Sequence, residues 1–80
     1  MLNARIGSNV HTESFFIPED YTLRQAFEEA DVDFAGKTVI LDGAATAAGD
    51  LNKTFRELGY DGTPGHDRLI LSAIAKVDNA

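Results

Sequence analysis

The chain of 80 residues contains no cysteine. That absence excludes disulfide staples, thiolate metal sites and a cysteine nucleophile at once, and it fits a reducing compartment, so a cytoplasmic location is expected. Long apolar runs are also missing. Nothing approaches the ~18 residues of a membrane span, and Met1–Ile6 lacks the apolar core of a signal peptide, so no membrane association is expected. Basic residues are scarce: seven Lys and Arg stand against thirteen Asp and Glu, for a formal charge of -6. Such a charge repels phosphate backbones and no basic cluster offsets it locally, so direct nucleic-acid binding is not expected. The surplus acid either attracts a basic partner or keeps a small domain soluble.

What is present suits one folded unit. An apolar fraction of 44% with 25% charged residues is that of a globular chain rather than a disordered one. A single domain over residues 1–80 is expected, burying roughly 60 to 65% of the surface it exposes when unfolded.

Leu2, Ala4 and Ile6 alternate with Asn3 and Arg5, the period of a half-buried strand, and Gly7-Ser8-Asn9 supplies a turn. Val10 to Ile17 then returns as a second strand, stopped by Pro18, which has no N–H to donate. Thr22 with Gln25 forms a capping-box pattern ahead of Leu23, Ala26, Phe27 and Ala30 at helical spacing, and Arg24 stands four residues before Glu28, a spacing that suits an ion pair. Gly36 frees the chain to enter a third strand, Lys37-Thr38-Val39-Ile40-Leu41, ended by Asp42-Gly43. Residues 44–49 read as a small-residue loop. Asp50 caps a short second helix carrying Leu51, Phe55 and Leu58, with Gly59 as its stop. After the turn-rich 61–65 segment comes a closing strand from Arg68 to Val77, apolar on both faces, which belongs at the centre of a sheet beside the first strand.

Several short patterns point to chemistry. Gly36-Lys37-Thr38 matches the end of a phosphate-binding loop, but Asp31 stands where the first glycine is needed and a strand follows instead of a helix. Asp31, Asp33, Gly36 and Asp42 fall at calcium-loop spacing, yet Ala35 and a following strand break that pattern, so no metal is expected. His11 and His66 are the only histidines; His66-Asp67 could be an oriented base, but Ser8, Ser14 and Ser72 read as turn or strand residues and no oxyanion donors accompany them. No cofactor and no catalytic role are therefore expected. Phe15 and Phe16 are adjacent on a strand and must point to opposite faces, so one of them is exposed. Phe15 with Ile70 and Ile74 is the expected apolar patch for a partner on the sheet face that the helix leaves open, and Glu28 and Glu29, solvent-facing on the helix, are the expected acidic surface.

The order of elements, with Tyr21 to Ala30 as a capped helix and Val39-Ile40-Leu41-Asp42-Gly43 as a strand and turn, resembles the β-grasp, or ubiquitin-like, fold. Within that fold it is similar to the small sulfur carriers of thiamine and molybdopterin biosynthesis. The resemblance implies an α+β fold, a mixed four-stranded sheet with one main helix on one face and a second short helix. Those carriers work through a C-terminal Gly-Gly, and this chain has Asn79-Ala80 there. The expectation is accordingly a small non-catalytic β-grasp protein, bacterial or phage, monomer or homodimer. It would act by contact with a protein partner through an open sheet face and acidic surface. A sulfur-carrier or conjugation protein with a divergent or processed tail, and an acidic phage-type inhibitor mimicking nucleic acid, are the alternatives.

Overall fold

Along β1 (Leu2–Gly7), Leu2, Ala4 and Ile6 are buried while Asn3 and Arg5 are exposed, so alternation sorts the strand into two faces. The computed structural model describes residues 1–8 and 10–75. β1 pairs antiparallel with β2 (Thr12–Ile17), from Leu2 opposite Ile17 to Gly7 opposite Thr12. Val10 and His11, expected in that strand, belong to the hairpin loop, which is closed by a 2.8 Å bond from the Ser8 N–H to the His11 carbonyl. The loop passes so close to Gly7 that an added Cβ would lie 2.0 Å from the His11 carbonyl oxygen.

The single α-helix among the described residues, α1 (Leu23–Glu29), has the expected capping box. Thr22 Oγ1 accepts from the Gln25 N–H at 3.1 Å, and Gln25 Oε1 accepts from the Thr22 N–H at 2.9 Å. Leu23, Ala26 and Phe27 are fully buried, leaving Arg24, Gln25, Glu28 and Glu29 exposed. The helix ends in a Schellman motif: Val32 N–H bonds the Phe27 carbonyl at 2.9 Å and Asp31 N–H bonds the Glu28 carbonyl at 3.2 Å. Asp31 takes the left-handed position there with φ 57, where glycine is usual. Arg24 does not pair with Glu28; its guanidinium lies 5.3 Å over the Phe34 ring, and its Nε donates to Asn52 Oδ1 at 3.4 Å. Phe34 in turn stacks on Phe27, ring centroids 5.2 Å apart.

β3 (Lys37–Leu41) folds back at Asp42-Gly43 into β4 (Ala44–Ala45), with Leu41 opposite Ala44 and Ile40 opposite Ala45. Both loop residues have positive φ, 50 and 86, as a two-residue type I′ hairpin requires. The expected four-stranded sheet is thereby corrected to five strands. Two alanines, poor strand formers, give the return strand no apolar signature.

The expected second helix is likewise corrected. Ala48–Asn52 form a 3-10 helix, Thr54 bridges to Thr22, and residues 55–59 make a hydrogen-bonded turn. The interruption has a tertiary cause: the Lys53 carbonyl accepts from Leu23 N–H at 3.4 Å and the Phe55 N–H donates to the Tyr21 carbonyl at 3.0 Å. Backbone groups that a continuous helix would use internally are thus committed to the start of α1. Gly59 does end this turn, with φ 102, and Tyr60 N–H reaches back to the Phe55 carbonyl at 2.8 Å while the two rings meet edge to face.

β5 (Arg68–Ala75) occupies the centre of the sheet, whose order is β2-β1-β5-β3-β4. It runs parallel to β1 and antiparallel to β3. The expected extension to Val77 and the tail Asp78-Asn79-Ala80 lie outside the described residues. The fold is therefore α+β, one α-helix on a mixed five-stranded sheet. Phe27 and Phe55, both fully buried, anchor a core with Leu2, Ile6, Ile17, Leu23 and Leu71, and each such side chain contributes about 1.5 to 3 kcal/mol. Among the described residues no helix is long and apolar enough to cross a membrane.

Candidate functional site

Helix α1 covers one side of the sheet; side-chain alternation decides what the other side displays. Phe15 lies opposite Ala4 and Phe16 opposite Asn3, so the two rings part to opposite faces. Phe15 is half-buried against the core, whereas Phe16 is 71% exposed. The expected patch residue Phe15 is thus corrected to Phe16, because Ala4 belongs to the buried row of β1 and carries its cross-strand neighbour with it. Ile70, opposite Arg5, is 51% exposed on the open side. Ile74, opposite Thr38, is half-buried. Glu28 and Glu29 are exposed on α1, across the sheet from Ile70. Ile70 and Ile74 therefore share the open side, Phe15 faces the core side, and Glu28 and Glu29 stand on the helix.

Two residues that sequence reasoning missed, Arg5 and Arg68, dominate the open side. The β1–β5 register sets Arg68 opposite Asn3 and Ile70 opposite Arg5, so both arginines project from the same face as Phe16 and Ile70. They line a shallow depression of ≈ 390 Å³ together with Asn3, Ser14 and Ile70. Arg5 is held by its strand neighbours: Nε donates to Thr12 Oγ1 at 3.2 Å, Nη1 to Ser14 Oγ at 3.4 Å and Nη2 to the Thr12 carbonyl at 3.4 Å. Among the described residues, no ion pair involves either Arg5 or Arg68. A signal for Arg5 was present, since it occupies the polar parity of a strand whose other parity is apolar; Arg68 shares its parity with Ile70 and Ile74 and carries no such signal. Only the pairing of first and last strands brings them together.

Asp42 borders the same depression, and each of its oxygens accepts a hydrogen bond. Its Oδ1 accepts from the Ile70 N–H at 2.8 Å and its Oδ2 from the Tyr60 hydroxyl at 2.5 Å. Burial, and after it the bond to the Asp42 carboxylate, push the Tyr60 hydroxyl up to about 12.

The remaining sequence motifs are scattered. Gly36, with φ 71, turns the chain into β3, and no helix follows Gly36-Lys37-Thr38. Lys37 and Thr38 instead line a depression of ≈ 440 Å³ with Arg24 and Phe34. Of the calcium-spaced residues, Asp33 accepts from Ala35 N–H at 3.1 Å and Asp42 is occupied as above. Among the described residues no three His, Cys, Asp or Glu gather as a metal site. His11 lies 3.4 Å from Glu13, both exposed, and His66 sits in the turn closed by its bonds to Gly62 and Thr63. Neither imidazole is hydrogen-bonded to a serine hydroxyl among the described residues.

In comparisons with known proteins, no family model, curated protein or solved structure matches the chain.

Proposed function

We propose that this chain is a non-catalytic binding domain of β-grasp type that docks a protein partner on the open side of its sheet. The strand order β2-β1-β5-β3-β4, with one helix between the first hairpin and β3, supports the β-grasp reading. The observation that carries the docking reading is the exposure of Phe16 and Ile70 on one sheet face, with arginines between and beside them. Aromatic, aliphatic and guanidinium groups in that arrangement are what the energetic centres of protein interfaces are made of. The acidic residues of α1 contribute to charge and solubility in this reading rather than to the contact.

The test compares tagged wild-type protein with Phe16→Ser and Ile70→Ser in capture from the native cell, after circular dichroism has shown both variants folded. Each variant is expected to lose the partner that the wild type holds. Retention of every captured protein by both variants would overturn the reading.

A further inference from the structure

We infer that the segment seated on the open face is an acidic stretch of a protein, with a carboxylate received between Arg5 and Arg68; this rests on the docking reading above and adds the chemistry of the ligand. Three observations converge on it.

Charge comes first. Arg68 lies opposite Asn3 and Ile70 opposite Arg5, which puts the two arginine backbones roughly 8 Å apart on one face by strand spacing and rise. Two like charges at that range repel, and no carboxylate among the described residues pairs with either. The chain is not short of acid, with a formal charge of -6. Asp42, the one acid among the described residues that line the depression, accepts from the Ile70 N–H and the Tyr60 hydroxyl, both neutral donors, and makes no ion pair with either arginine. A carboxylate from outside meets two guanidinium groups that have no ion-pair partner among the described residues, and guanidinium binds it bidentately.

Preorganisation is the second observation. Thr12 and Ser14 already hold the Arg5 fork through three contacts of 3.2 to 3.4 Å, so less side-chain freedom is lost when a ligand arrives. The third is the apolar flank. Phe16 and Ile70 lie on either side of this cationic row, which suits an acidic side chain with apolar neighbours. The formal charge of -6 opposes any anion at long range, so the flank makes the distinction: a phosphate backbone makes no use of Phe16 and Ile70, whereas the apolar neighbours of an acidic side chain do.

The experiment is an NMR titration of the ¹⁵N-labelled protein with three short probes: a peptide of alternating Leu and Asp, its Leu and Lys counterpart, and an oligothymidine. The Leu-Asp peptide is expected to shift the amides of Asn3, Arg5, Ser14, Phe16, Arg68 and Ile70, with affinity weakened about tenfold in Arg68→Ala and again at high salt. Arg68 is exposed and makes no side-chain hydrogen bond among the described residues, so this variant folds; Arg5→Lys, which keeps charge but loses the fork, is expected to lie between the two. Equal shifts from the Leu-Lys peptide would overturn the acidic assignment and leave open-face docking standing. Shifts from oligothymidine, or shifts produced by raising the protein concentration alone, would overturn it in favour of nucleic acid or of a second copy. If neither peptide moves these amides the acidic assignment falls, and the docking reading falls with it only when Phe16→Ser also keeps the captured partner.

Discussion

Tyr60 and Ile70 are tied to opposite oxygens of one carboxylate: the Tyr60 hydroxyl donates to Asp42 Oδ2 at 2.5 Å and the Ile70 N–H to Oδ1 at 2.8 Å. Asp42 sits at the first position of the β3–β4 turn, so this clamp joins that hairpin, the segment after Gly59 and the central strand. Tyr60 is pushed up to about 12 from its ordinary value near 10. Between those two values the folded chain keeps a proton that the unfolded chain has released. The unfolded state then binds fewer protons, so stability present below pH 10 is lost as pH rises toward 12. Thermal melts across this range are expected to show a fall in Tm that Tyr60→Phe reduces. At neutral pH the same variant is expected to cost about 1 kcal/mol for the lost hydrogen bond.

The adjacent phenylalanines of β2 are expected to behave oppositely. Phe15→Ser removes a ring packed on the core and is expected to cost about 2 kcal/mol, less than a fully buried aromatic would. Phe16→Ser, at an exposed site, is expected to stay within about 1 kcal/mol of wild type. Urea denaturation of the two variants measures the difference, and a reversed order would show that the register of the first hairpin is shifted by one residue.

Asp31 is an aspartate in a glycine's position. It holds φ 57 and places a negative charge just past the C-terminal end of α1, where the helix dipole is also negative. Asp31→Gly removes both penalties while giving the unfolded chain more freedom, and the net expectation is a gain of up to about 1 kcal/mol. Gly59→Ala, at φ 102 in the matching motif, is expected to lose about 1 kcal/mol. Chemical denaturation of both variants checks the pair.

Gly7→Ala is expected to destabilise by about 1 to 3 kcal/mol, since the new Cβ meets the His11 carbonyl oxygen at 2.0 Å and Thr12 Cα at 2.8 Å. Both atoms are backbone, so no side chain can swing away. The measurement is the denaturation midpoint, with hydrogen exchange of the Ser8 amide as a local readout of the loop.

Much of this architecture is legible without coordinates. The alternation of β1, the capping box at Thr22 and Gln25, the glycine stop at Gly59 and the doubly apolar Leu69 to Ala73 stretch each carry their own local signal. The failures share a physical cause. β4 exists because Asp42 and Gly43 turn the chain, not because Ala44 and Ala45 favour a strand. The second helix is broken because Tyr21 and Leu23, some thirty residues earlier in the chain, claim the backbone of Lys53 and Phe55. The exposed face was harder still. Choosing Phe16 over Phe15 needs the hairpin register, and seeing Arg5 beside Arg68 needs a pairing between opposite ends of the chain.

That pairing also governs the order in which the molecule can be assembled. Asn3 aligns with Arg68, 65 positions later (68 minus 3), so the middle of the sheet closes the longest loop in the fold. Loop-closure entropy grows only slowly with length, but such distant contacts reward the chain late and slow its folding. On a ribosome the hairpin and α1 emerge first with their apolar faces uncovered. They stay so until Arg68–Ala75 is free to slot between β1 and β3. A nascent chain paused before that point exposes Leu2, Ile6 and Phe27 together, and during synthesis that interval is its period of greatest exposure to aggregation and to chaperones.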